Sequence, residues 1–171
     1  WAADQHIYFV AKFSKPFLSH GIAENGILKP NLKNAKGIDL KAWVNYKTTE
    51  NEVIMVKVGL SAVSIEGARK NLENEISDWD FENIKNSAKE KWDKELNKIK
   101  VEGSNESDKT IFYTALYHSL LAPNVFSDVD GKYRGHDQQI HQADHEVYTV
   151  FSLWDTFRAE HPLLSIIDQN R

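Results

Sequence analysis

The sequence predicts an α+β chain in which strands come first and helices follow. Up to Leu60 the apolar residues fall in short β-rich runs separated by Pro, Gly and Asn-Gly punctuation. After Leu60 they recur every three or four residues, the period of a helix with one apolar face. The 171 residues are 41% hydrophobic and 27% charged, an ordinary globular balance with enough length for one domain or two smaller pieces.

Residues 6–13, His-Ile-Tyr-Phe-Val-Ala-Lys-Phe, read as a strand buried on at least one face, interrupted by Lys15-Pro16. Gly21 and Asn25-Gly26 read as turns. Residues 37–46 form a second strand candidate, with Ile38, Leu40, Ala42 and Val44 on one face, and residues 52–59 a third. Strands at this spacing suit a β-sandwich, but about 60 residues hold too few for a complete one, which leaves a missing half or open edges.

Ser64 can cap a helix carrying Ala68, Leu72 and Ile76, and a second helix from about Asp80 carries Phe81, Ile84, Ala88, Trp92, Leu96 and Ile99. Its other face is almost all Lys, Glu and Asn, a solvated surface. A third helix over residues 109–121, capped by Asn105 or Ser107, is apolar around most of its circumference and calls for burial on more than one side. Pro123 ends it.

A net charge of −4 leaves no basic excess to neutralise phosphates, which argues against nucleic acid as the main partner. Zero Cys excludes disulfides, thiolate metal sites and thiol nucleophiles. No apolar run approaches the ~20 residues of a membrane helix. Trp1-Ala-Ala-Asp lacks the basic start and apolar stretch of a signal peptide, and with no initiating Met the chain reads as an internal fragment. The five Trp, six Tyr and eight Phe suit either sugar-stacking surfaces or core filling.

Three stretches carry candidate chemistry. Asp128-Val-Asp-Gly131 resembles the start of a calcium loop, but the twelfth position of that pattern is Gln139 rather than Glu, so Asp130-Gly131 reads as a hairpin turn flanked by Val125, Phe126 and Tyr133. The run from His136 to Glu146 holds His136, His141 and His145. On a helix His141 and His145 would share a face that zinc accepts, whereas a polar loop rimming a pocket is the plainer reading.

The third stretch is Phe151-Ser-Leu-Trp-Asp-Thr-Phe-Arg-Ala-Glu-His-Pro162. If Ser152 caps a single helix here, Trp154, Asp155, Arg158 and His161 crowd one side of its first two turns and form a wall suited to a polyhydroxylated ligand. Asp155 and Glu160 on such a helix are rotated by roughly 140° and cannot flank one glycosidic bond. The structural alternative for Asp155 is an ion pair with Arg158, worth only ~0.3–0.5 kcal/mol if exposed.

This stretch, with Phe126-Ser-Asp-Val-Asp-Gly-Lys-Tyr-Arg-Gly135 before it, resembles glycoside hydrolase family 92, calcium-dependent exo-acting α-mannosidases, in the region where the catalytic domain begins. The resemblance is strongest over residues 111–167 and weakest over residues 1–60, where it rests on the order of elements. It implies the last strands of a β-sandwich over residues 1–62, linker helices over 63–104, and the first helix pair of an (α/α)6 toroid over 105–171.

It further implies that Trp154 and Asp155 line the −1 mannose site, with Arg158 orienting Asp155 and His161 standing behind them. The reaction it implies is inverting removal of terminal mannose from glycans, in a periplasmic or secreted enzyme. The catalytic acid and base, and most calcium ligands, are expected outside this chain, so the fragment alone should be inactive. It should also expose apolar surface that the rest of its parent polypeptide or companion chains cover. Two other classes stay open: a carbohydrate-binding module without catalysis, and a metal-dependent hydrolase using the loop from His136 to His145.

Overall fold

A computed structural model describes residues 4–103 and 105–169. The chain is α+β, with five strands before the first helix: β1 (Tyr8–Phe13), β2 (Ser19–Glu24), β3 (Ile27–Pro30), β4 (Leu40–Asn45) and β5 (Val56–Ser61). Three helices follow, α1 (Ile65–Glu75), α2 (Phe81–Leu96) and α3 (Glu106–Ser119), then a short pair of strands, β6 (Lys132–Arg134) and β7 (Ile140–Gln142), and two short helices, α4 (Leu153–Thr156) and α5 (Glu160–Ile167). Residues divide into two compact units, Ala11–Val58 and the remainder.

The Ala11–Val58 unit is built on a three-stranded antiparallel sheet in the order β3-β2-β4. Asn25-Gly26 joins β2 to β3 as a two-residue hairpin, with Glu24 opposite Ile27 and both turn residues at positive φ, 50° and 79°. The sequence reading placed turns at Gly21 and Asn25-Gly26 and found neither strand. Gly21 is instead the middle of β2, opposite Pro30 on one side and Trp43 on the other. It is glycine because the Trp43 indole lies against it, not because the chain turns.

In β4 the expected alternation is only partly realised. Leu40 and Val44 are half-buried, Ala42 is exposed, and Ile38 precedes the strand and is fully exposed. A second sheet pairs β1 with β5.

The core of the other unit is small: Ala68 and Leu72 of α1, Leu116 of α3 and Leu120 are its buried apolar residues. Ser64 caps α1 by accepting from Gly67 N at 2.9 Å, Asp80 caps α2 by accepting from Asn83 N at 2.9 Å, and Asn105 caps α3 by accepting from Ser107 N at 2.9 Å. Gly59 lets β5 approach α1, since a Cβ there would stand 2.3 Å from the Ala68 carbonyl. Helix α2 packs along α3, with Trp92 and Tyr117 ring centroids 4.6 Å apart.

Burial of α3 on several sides is not seen: Ile111, Tyr117 and Leu121 are exposed. An all-round apolar helix needs partners on several sides, and here α2 is the helix that packs along α3. Phe81, Leu153, Trp154, Phe157 and Ile166 are exposed as well, so much apolar surface of this unit lacks cover. No helix among the described residues is long and apolar enough to cross a membrane.

The turn expected at Asp130-Gly131 forms, with Gly131 N donating to Asp128 O at 2.8 Å and Gly131 at φ 80°. Its flanks pair differently from the expectation. Strand β6 pairs with β7, placing Tyr133 opposite His141, while Val125 bridges Tyr148 and Phe126 N donates to Val147 O at 2.7 Å.

Candidate functional site

The expected single helix after Ser152 is two helices. Ser152 is the N-cap of α4, although its side chain makes no capping bond, and its carbonyl accepts from Asp155 N at 3.0 Å and Thr156 Oγ1 at 3.1 Å. After Thr156 the chain turns through Phe157, Arg158 and Ala159 before α5 begins. Pro162 explains the break. It has no N–H to give the Arg158 carbonyl, and inside a continuous helix its ring would clash with that carbonyl; in the first turn of a new helix both costs vanish. The angular argument against an Asp155–Glu160 pair assumed one helix and no longer applies.

The break separates the four residues that one helix face would have gathered. Trp154, 86% exposed, and Asp155, also exposed, are consecutive residues of α4. Arg158 makes no ion pair with Asp155 among the described residues; its guanidinium lies 5.4 Å from the Phe157 ring centroid, a cation–π contact worth ~0.5–1 kcal/mol at an exposed position. His161 turns toward Phe151, edge to face with centroids 5.1 Å apart, and its Nδ1 is buried without a hydrogen-bond partner among the described residues.

A cleft of about 500 Å³ opens beside His161, walled by Pro123, Tyr148, Phe151 and Leu164, and neither Trp154 nor Asp155 lines it. The candidate rim is thus an exposed indole and, at the next position of α4, an exposed carboxylate. An indole face can stack on the C–H face of a sugar, and a carboxylate can accept hydrogen bonds from its hydroxyls.

The histidine stretch is not helical. His141 lies on β7, its ring 5.5 Å from that of Tyr133, and its Nε2 stands 3.0 Å from both Asp137 oxygens. His145 Nδ1 stands 2.9 Å from Asp144 Oδ1. Each pairing holds its aspartate below the ordinary carboxylate value, chiefly through the histidine hydrogen bond. The two histidines thus serve separate aspartates rather than one shared site.

No group of three or more His, Asp or Glu among the described residues is placed to hold a metal ion. Asp128, first residue of the calcium-like stretch, is 4% exposed, and its two oxygens accept from Ser61 Oγ at 2.7 Å and Asn71 Nδ2 at 2.8 Å. Its lone pairs serve the fold, and the donor set does not fit a calcium site. This network was invisible in the sequence, because its members lie 57 and 67 positions apart.

Comparison with known proteins gives the family. Residues 67–171 match the model of the glycosyl hydrolase family 92 catalytic domain, and residues 1–61 that of the family's N-terminal domain. Among solved structures, a family GH92 α-mannosidase from Bacteroides thetaiotaomicron is 36% identical with a TM-score of 0.82, over 94% of this chain and 22% of that one. It has also been solved in complex with mannoimidazole.

A GH92 inverting mannosidase from Bacteroides thetaiotaomicron VPI-5482 is 29% identical with a TM-score of 0.85, over 93% of this chain and 22% of that one. An uncharacterized secreted glycosidase of Arthroderma benhamiae is 33% identical over 78 residues, 43% of this chain and 10% of the relative. The chain thus spans about a fifth of the solved proteins it resembles, 22% in each case. It belongs to glycosyl hydrolase family 92, running from the family's N-terminal domain into its catalytic domain.

Proposed function

We propose that this chain is the junction segment of an inverting, exo-acting α-mannosidase that removes terminal mannose from glycans, and that Trp154 and Asp155 grip the mannose ring in the −1 site. The observation that carries the reading is the exposure of both side chains, at consecutive positions of α4, in a chain that belongs to a glycosidase family. The mannoimidazole complex of the Bacteroides α-mannosidase supports a mannose-shaped ligand.

In this reading the indole and the carboxylate orient the ring by its faces and hydroxyls, so that binding energy realised there is used at the anomeric carbon. Inversion needs an acid and a base ~6.5–9.5 Å apart with water between them. We assign both to other parts of the parent polypeptide, together with the calcium ligands. Residues 1–62 then end a β-sandwich, 63–104 link, and 105–171 begin the catalytic toroid; Arg158 in the turn and His161 on α5 act through Phe157 and Phe151 rather than through a bond to Asp155. Like the Arthroderma relative, the enzyme is exported, to the periplasm or the medium.

The test is Asp155→Ala in the intact enzyme. Losing two charge-assisted hydrogen bonds to sugar hydroxyls, ~1.5–3 kcal/mol each, lowers kcat/KM by about 100-fold or more. Near-normal kinetics contradict the role. The 171-residue segment alone should release no mannose from an α-mannoside.

A further inference from the structure

Three successive residues at the end of β5 are gripped by side chains from later in the chain. Asn71 Nδ2 donates to the Leu60 carbonyl at 2.7 Å, Ser61 Oγ donates to Asp128 Oδ2 at 2.7 Å, and Arg134 Nε donates to the Ala62 carbonyl at 2.9 Å. The centre of the grip is closed to water: Asp128, Ser61 and Asn71 are 4%, 6% and 8% exposed. Asn71 completes it, donating to Asp128 Oδ1 and accepting from Val129 N at 2.9 Å. The packing leaves no slack, because a Cβ on Gly67 would stand 2.1 Å from Asp128 Oδ2.

A buried carboxylate so fully engaged has no part in binding or chemistry, yet it is connected to the rim. Asp128 N donates to Lys132 O at 2.8 Å, closing the turn. Immediately before it, Phe126 N donates to Val147 O at 2.7 Å and Ser127 Oγ accepts from Val147 N at 3.1 Å. Asn124 and Thr149 then exchange two bonds, Thr149 N to Asn124 O at 2.8 Å and Asn124 N to Thr149 Oγ1 at 2.9 Å. Two residues on, Phe151 packs against His161, and α4 begins at Leu153.

We propose that Asp128 is a positioning residue: by locking Ser61, the last residue matched to the N-terminal domain, onto the β6 turn, it sets where the Trp154–Asp155 rim stands. This rests on the rim reading above. It makes the end of the N-terminal domain part of the substrate site's support, so the catalytic domain does not hold its own −1 rim in register without residues 60–62.

The test uses the intact enzyme, with Asp128→Asn and Ser61→Ala made singly and together, and Asp155→Ala alongside. Asparagine keeps the shape of the site and one acceptor, and Ser61→Ala breaks the same contact from the other side, together with the bonds Ser61 Oγ accepts from Val63 N at 2.9 Å and Ser64 N at 3.2 Å. Rim displacement predicts that each single variant loses about tenfold in kcat/KM, measured well below its melting temperature, with mannoimidazole affinity falling in parallel. Because both break the Ser61–Asp128 contact, the loss in the double variant should fall well short of the product of the two single losses.

A lower melting temperature with unchanged kcat/KM and mannoimidazole affinity overturns the proposal, as do losses that multiply in the double variant. Full activity of Asp155→Ala overturns the rim reading and this inference together. Loss there with normal kinetics for Asp128→Asn and Ser61→Ala overturns this inference alone.

Discussion

The Trp43 indole lies against Gly21 of the neighbouring strand, so close that a Cβ at residue 21 would stand 2.6 Å from Cζ2 and 2.6 Å from the Lys29 carbonyl. Neither neighbour can yield cheaply, one being backbone and the other a ring held in the sheet. Gly21→Ala should destabilise the Ala11–Val58 unit by about 1–3 kcal/mol, seen as a lower melting temperature in the intact enzyme. An unchanged melting temperature would contradict the register of β2 against β4.

Ser64 starts α1, whose Ala68 and Leu72 make the core beneath β5. Ser64→Ala leaves the Gly67 N–H without its acceptor and should cost about 1 kcal/mol, with Ser64→Asp recovering most of it. Urea unfolding should show a lower midpoint and an unchanged slope.

Asp130 provides a pH test. Partial burial acts to raise its carboxyl, but hydrogen bonds from Lys70 and Lys132 outweigh this and hold it below the ordinary 3.8. A folded value below the unfolded one means that Asp130 contributes stability above pH 3.8, lost as pH falls through the lower folded value. The melting-temperature gap between wild type and Asp130→Asn should therefore be open at pH 6 and narrow progressively as pH falls below 3.8. A gap that does not change with pH would refute the pairing.

His161 combines a ring contact to Phe151 with a buried Nδ1 that has no partner among the described residues. Phenylalanine keeps the ring and removes the orphaned atom. His161→Phe should be neutral or stabilising, whereas His161→Ala should lose about 2–3 kcal/mol of packing. Equal losses in the two variants would show that Nδ1 finds a partner in the intact enzyme.

What the sequence made legible was local. Helix starts announced themselves: Ser64 caps α1 as expected, the start expected near Asp80 is capped by that residue, and of Asn105 and Ser107 it is Asn105 that caps α3. The β2–β3 hairpin was missed because β3 is exposed throughout and β2 carries Gly21, so neither showed an alternating apolar face. At the rim the motif was readable but its geometry was not. The spacing of Trp154, Asp155, Arg158 and His161 promised one helix face, and Pro162 divided it. Pro162 was in plain view, and its demand on the Arg158 carbonyl should have outweighed the apolar period. The Ser61–Asp128 contact had no local signal, since nothing in either residue's surroundings names the other.

The most direct measurement is a crystal structure of the intact enzyme with mannoimidazole bound. The sugar-like ring should lie against the Trp154 indole with at least one hydroxyl within hydrogen-bond distance of the Asp155 carboxylate. A ring seated elsewhere, with Asp155 untouched or buried against protein alone, would contradict the account.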